Sequence, residues 1–177
     1  LAFGTGGMRG RTIGKTVTKA ERGKKSPTGG PEFAAVGTST LNELTVIRAT
    51  KALFIFIKQW MAEEGIHEQP RLVVAHDVRH FSVNFSDLVA TEWTRMGGCA
   101  MKFDGPRSTP QLSFAVRSNY AHAGVVITAS HNPFHDNGFK AYFYDGAQLV
   151  PPHANQVVEN YNKITIGDLI VSLQGDS

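Results

Sequence analysis

Four short segments of this chain carry residue types that could do chemistry. Thr128-Ala-Ser-His-Asn-Pro133 follows the apolar run from Gly124 directly. That placement presents Ser130 at the edge of a sheet, and Asn132-Pro133 favours a tight turn. A serine hydroxyl there could accept a phosphoryl group and pass it on, a covalent relay. A phosphate on it would gain from loop amides and a metal cation. The plain alternative, that Ser130 and Asn132 merely build a turn, stays open on composition alone. Phe3-Gly-Thr-Gly-Gly-Met-Arg-Gly10 is glycine-rich, so its backbone can approach an anion closely. Arg9 can grip phosphate oxygens with a two-pronged fork that lysine lacks. The segment is no dinucleotide fingerprint, because Arg9 stands at the third glycine position counted from Gly4 and no clear strand precedes it. It is no Walker loop either, and a flexible turn is its other reading. Lys140 lies ten positions after Ser130 on the next strand. A chain that doubles back would bring its amine near Ser130, where a lowered pKa would suit it to acid or base work. An ordinary exposed strand lysine is the competing reading. His76-Asp-Val-Arg-His80 has two histidines at metal-helix spacing, but His76 ends a strand and a loop follows. A structural or ligand-orienting loop is expected instead, with Asp77 and Arg79 available to pair.

The elements that must position these residues alternate. Residues 14–42 are rich in Gly, Lys, Thr, Ser and Pro, which predicts an exposed loop or hairpin insertion. Leu44, Ile47, Phe54, Ile57 and Met61 recur at helical spacing, and Gly65 ends the run. Thr40 opens a capping-box pattern with Glu43, and Asn42 competes for the cap. Arg71 to His76 reads as a buried strand, Ser82 as the cap of a helix to Met96, and Cys99 to Phe103 as a second strand. Thr109-Pro110 reads as an N-cap and first helical residue. Gly124 to Thr128 is a third strand, and Asp145-Gly146 marks a hairpin between 138–144 and 147–150. Pro151-Pro152 opens a last helix to about Asn162. The alternation predicts a three-layer α/β/α sandwich with a mainly parallel mixed sheet. Ligands of such sheets meet the loops at the carboxyl ends of strands, here those after Ala75, Phe103 and Thr128. The tail from 164 to 177 reads as a linker.

Bulk properties narrow the class. The chain has 177 residues, suited to one domain, and it opens at Leu1 rather than Met, which predicts residues upstream. No apolar stretch reaches the ~18 residues of a membrane span, and no signal-peptide pattern occurs. The single cysteine, Cys99, excludes an internal disulfide and is expected as a small buried residue of a strand. The net charge of +3 owes much to Lys15, Lys19, Arg22, Lys24 and Lys25. No aromatics interleave with them, so a solvated loop is expected rather than nucleic-acid binding.

Taken together, the segments resemble the α-D-phosphohexomutase superfamily, the phosphoglucomutases and phosphomannomutases. Thr-Ala-Ser130-His-Asn-Pro is similar to its phosphoserine loop, and Asn137-Gly-Phe-Lys140 to the element that follows that loop. Phe3-Gly-Thr-Gly-Gly-Met-Arg9 resembles its N-terminal signature, His76-Asp-Val-Arg-His-Phe-Ser82 its Asp-x-Arg loop, and Ser108-Thr-Pro110 its Pro-Thr-Pro element. The matches keep family order from residue 3 to about residue 150. Asp145-Gly-Ala-Gln-Leu-Val-Pro-Pro-His153 looks most like the branch with phosphoglucomutases and phosphopentomutases.

The resemblance implies the first of four domains, spanning residues 1–163. It implies that Ser130 is the phosphorylated nucleophile whose phosphate also ligates Mg²⁺. It further implies that His131 assists near the reacting oxygens, that Lys140 moves a proton or contacts the ligand, and that Thr5 and Arg9 bind substrate or phosphate. A sugar bisphosphate would be activator or intermediate, and the location cytoplasmic. The Asp-x-Asp-x-Asp metal loop of the family's second domain does not occur here, the family's later domains supply sugar and phosphate recognition, and without domains II–IV of the same chain the isolated domain is expected to be inactive. Phosphopentomutase or sugar-bisphosphate synthase activity stays open within the superfamily. Outside it stand a non-catalytic phosphate-binding module and a serine hydrolase, the latter without a Gly-x-Ser-x-Gly elbow.

Overall fold

The computed structural model describes residues 6–24 and 30–169. Three parallel strands form the heart of the sheet: β2 (Arg71–His76), β3 (Cys99–Lys102) and β4 (Ala123–Ile127). Valine and isoleucine suit them to a sheet buried on both faces. β5 (Asp136–Phe143) pairs antiparallel with β4, and β1 (Gly7–Arg11) antiparallel with β5. The order is β1-β5-β4-β2-β3. Parallel pairing is thus confined to one half of the sheet. The short loop between β4 and β5 allows no crossover, so β5 must return antiparallel.

Successive strand residues face opposite layers. Leu72, Val74, Val125, Ile127, Phe139 and Ala141 join one core. That core is shared with α2 (Glu43–Glu63), α3 (Ser82–Arg95) and α5 (His153–Lys163). Val73, Ala75, Val126 and Tyr142 face α4 (Thr109–Ser118) in a smaller second core. The three layers are therefore three helices, the sheet and one helix. Val46, Leu53, Phe56 and Ile57 of α2 are fully buried. Each contributes about 1.5–3 kcal/mol on leaving water, and Phe56→Ala would cost about 3–5 kcal/mol.

Several expectations need correction. The segment 14–42 is not simply an exposed loop. It contains the single-turn α1 (Lys19–Arg22), and Ala34, Ala35 and Leu41 are buried. Lys15, Lys19, Arg22 and Lys24 are exposed as expected, while Lys25 lies outside the described residues. Asn42, not Thr40, caps α2, because its side chain accepts from Thr45 N–H. Ser108 caps α4 one residue before Thr109. Ser82 is the first residue of α3 rather than its cap; its hydroxyl donates to Asp77 instead. Cys99 opens β3 but is only half-buried. Residues 147–150 return beside β5 through the bond from Leu149 N–H to the Ala141 carbonyl, with one isolated bridge rather than a full strand. Ile164 and Leu169 are buried in the larger core, so the chain past α5 stays packed through 169 rather than leaving as a linker. Residues 170–177 lie outside the described residues.

Candidate active site

β4 ends at Ile127, and the chain then turns sharply before β5 begins at Asp136. Thr128 N–H donates to the Gly138 carbonyl at 2.9 Å, the last cross-strand tie before the loop opens. The Thr128 hydroxyl accepts from Ser130 N–H at 2.9 Å. Ser130 itself is exposed and sits in the left-handed region, φ 57°. For a residue with a Cβ that conformation costs about 1–2 kcal/mol, so neighbouring structure must hold it.

Much of that structure comes from the loop after β2. The Arg79 guanidinium donates to the carbonyls of Ser130 (2.7 Å), Asn132 (2.7 Å), Pro133 (2.8 Å) and Asp136 (3.1 Å). Its Nε lies 3.2 Å from Asp77 Oδ2, the pairing expected from sequence. Asp77 Oδ1 accepts from Arg79 N–H and from the Ser82 hydroxyl. Asn137, fully buried, donates to the His80 carbonyl and the Ser82 hydroxyl and so ties β5 to the same loop. His76 and His80 form no metal pair: His76 Nδ1 bonds the Asp77 carbonyl, and the chain between them is a turn.

The cross-strand register brings the other candidates together. Lys140 pairs with Val126 on β4 and with Gly7 on β1, and Arg9 pairs with Gly138. Arg9 and Lys140 therefore share the sheet face toward α4, at the end that carries Ser130. Arg9 Nη1 donates to Asn132 Oδ1 at 3.2 Å, which links β1 to the serine loop. Burial pushes the Lys140 ammonium below the ordinary lysine value. The Arg9 charge lowers it further, and the Asp77 carboxylate partly restores it. Ser130 Oγ lies 3.3 Å from His131 Nδ1. Thr5 lies outside the described residues. The loop after β3 is fastened to the site loops through the bond from Arg107 N–H to the His76 carbonyl.

Ser130, Thr128, Asn132, Asp77 and Arg79 line an open cleft of ≈ 590 Å³. A cavity of similar size, ≈ 560 Å³, is lined by Trp60, Arg71, His122 and Tyr144 and holds none of the candidate residues. A hard cation such as Mg²⁺ wants six oxygen ligands. Among the described residues no three His, Cys, Asp or Glu side chains converge to hold a metal. Asp77, in the same cleft, is engaged by Arg79 and by the Ser82 hydroxyl.

A family profile described as phosphoglucomutase/phosphomannomutase, alpha/beta/alpha domain I, matches residues 34–167. This chain belongs to that family. The phosphoglucomutase of Staphylococcus haemolyticus is 32% identical over 93% of the chain, and the phosphoribomutase of Saccharomyces cerevisiae is 34% identical over 70%. A Thermus thermophilus protein assigned as a phosphomannomutase superposes over 90% of the chain with a TM-score of 0.67 and 26% identity. The chain spans 25% of the staphylococcal protein, 20% of the yeast protein and 29% of the Thermus chain. Relatives of this domain thus carry it as one part of a longer protein. Among the described residues no helix is long and apolar enough to cross a membrane.

Two features of the site escape sequence reasoning. β1 is not legible, because Gly7-Met-Arg-Gly-Arg11 lacks the β-branched signature of a strand, yet it is what carries Arg9 to the site. From sequence, Arg79 is expected only to pair with Asp77. Its four carbonyl contacts cross from the loop after β2 to the loop after β4, a relation that no local pattern encodes.

Proposed function

We propose that this chain is the serine-bearing domain of a phosphohexomutase, an intramolecular phosphotransferase that interconverts sugar 1- and 6-phosphates. The observation that carries the reading is Ser130: an exposed serine in a left-handed turn at the carboxyl end of β4, with Arg9 and Lys140 on the adjoining strands.

The chemistry divides among these residues. In the phosphorylated enzyme, a free hydroxyl of the sugar monophosphate attacks the phosphorus on Ser130. The Oγ–P bond breaks as the new O–P bond forms, and the hydroxyl proton passes to a base. Lys140, whose pKa is lowered, fits the role of that base, and His131, 3.3 Å from Ser130 Oγ, fits the group that returns a proton to the departing serine oxygen. The bisphosphorylated sugar turns over in the site, and Ser130 recovers the other phosphoryl group, leaving the isomer. Arg9, and Thr5 near it in sequence, would hold phosphate oxygens. Mg²⁺, when bound to the Ser130 phosphate, supplies charge stabilisation for the transferring group. The remaining metal ligands and the sugar-recognition loops belong to the other domains of the longer protein, which acts in the cytoplasm.

A pentose phosphate is the second reading of the substrate, favoured by the yeast phosphoribomutase among the relatives. A serine hydrolase is disfavoured, since His131 has no carboxylate behind it among the described residues. The test is a coupled mutase assay on the full-length protein with glucose 1-phosphate and ribose 1-phosphate, sugar bisphosphate and Mg²⁺. Wild type should turn over one of them, Ser130→Ala neither, and the 177-residue chain alone should fold but stay inactive. Turnover by Ser130→Ala would remove the reading.

A further inference from the structure

We propose that Arg79 is the positioning residue of this site: it fixes the Ser130 loop for phosphoryl transfer and turns the His131 N–H toward the transferred group. The inference rests on the role proposed for Ser130. A guanidinium has five N–H donors in a rigid fork. The four terminal donors of Arg79 are taken, Nη1 by the Pro133 and Asp136 carbonyls and Nη2 by those of Ser130 and Asn132, while Nε lies 3.2 Å from Asp77 Oδ2 in an ion pair. No terminal N–H is left for a substrate phosphate, so Arg79 differs in kind from Arg9, which is exposed and among the described residues bonds Asn132 alone. Arg79 is in turn held from behind, because Asp77 accepts from both Arg79 N–H and the Ser82 hydroxyl.

The consequence is directional. A trans peptide is planar, with its C=O and N–H pointing opposite ways. The Ser130 carbonyl points at Arg79, so the N–H of the same peptide, that of His131, points away from it. That N–H has no partner among the described residues, which suits it to a phosphoryl oxygen on Ser130. Lysine cannot reproduce the arrangement. Its donors radiate from one nitrogen, whereas the four carbonyls are gripped by two.

The test compares Arg79→Lys, Asp77→Asn and Ser130→Ala in the full-length enzyme, each checked for folding by circular dichroism. In Arg79→Lys, kcat should fall by about 10²-fold, the cost of misplacing a reacting group by about 1 Å. KM for the sugar phosphate should stay within about threefold, since no substrate contact is lost. Unchanged kcat, or a raised KM with kcat intact, would overturn the proposal. Asp77→Asn removes the charge paired with Arg79 Nε and serves if Arg79→Lys does not fold; kcat about tenfold lower at constant KM is expected, and wild-type kcat would overturn the proposal. Activity in Ser130→Ala would sink the reading of Ser130 itself. Loss there beside full activity in Arg79→Lys would sink the Arg79 inference alone.

Discussion

Gly138 sits where the root of the serine loop is tightest, and Gly138→Ala should disable the site more than it unfolds the domain. Its φ is not in the left-handed region, so alanine meets no backbone penalty there. The obstacle is space. A Cβ at Gly138 would lie 2.5 Å from the Thr128 carbonyl oxygen and 3.1 Å from that of Met8, both backbone atoms. Ordinary contact begins at 3.4 Å, so β4 and β5 must part by about 0.9 Å just where Thr128 N–H bonds the Gly138 carbonyl. Overpacking of that kind costs about 1–3 kcal/mol of stability. A displacement near 1 Å at Ser130 should lower kcat by about 10²-fold. Gly65→Ala is the control. Its φ of +69° makes alanine strained at about 1–2 kcal/mol, but nothing lies within 4 Å and the position, at the end of α2, is not among the site residues. Urea denaturation and kcat on both variants separate the effects: similar stability losses, with kcat reduced only in Gly138→Ala. Wild-type kcat in Gly138→Ala would mean that the β4–β5 spacing does not set Ser130.

Further outcomes are expected. Arg9→Gln should raise the Lys140 pKa toward the ordinary lysine value by removing a neighbouring cation, read from the Lys140 Cε shift in a ¹³C NMR titration; no rise would mean that burial alone sets it. Because Lys140 binds its proton less tightly when folded, stability should rise with pH between its lowered pKa and the usual lysine value, and Lys140→Met should flatten that slope in urea denaturation. Asn42→Ala removes the α2 cap and the donors to the Ala35 and Gly37 carbonyls; about 2 kcal/mol of stability should be lost with kcat unchanged. Lys51→Met removes the 2.9 Å ion-pair partner of the buried Glu92 carboxylate, which keeps Arg95 at 3.7 Å, and should cost about 1.5–3 kcal/mol in urea denaturation, again without touching kcat.

Much of the fold can be read before the structure because its signals are local. Leu72-Val-Val-Ala75 and Gly124-Val-Val-Ile127 are apolar runs of strand length, and the helix between 43 and 63 repeats its apolar residues at helical spacing. The serine loop is legible for a similar reason, since a strand that ends in Thr-Ala-Ser-His-Asn-Pro must turn. What stays hidden depends on distant partners. Gly7 to Arg11 is a strand only because β5 offers an edge beside it. Ala34, Ala35 and Leu41 look like loop residues in a polar segment, and their burial follows from bonds to Thr12 and Arg11 next to β1. The α3 start is set by Phe81 in the left-handed region, φ 65°, and by the demand of Asp77 on the Ser82 hydroxyl, which overrides a simple serine cap. Arg79 reads as a salt-bridge partner in sequence and as the clamp of another loop in space.

Everything proposed for this site depends on Ser130 carrying the phosphoryl group. Peptide mass spectrometry of the full-length protein, before and after incubation with glucose 1,6-bisphosphate and Mg²⁺, tests it most directly. One phosphate mapped to Ser130 is expected, lost on reaction with sugar monophosphate and absent from Ser130→Ala together with activity. Turnover with Ser130 unmodified throughout would contradict it.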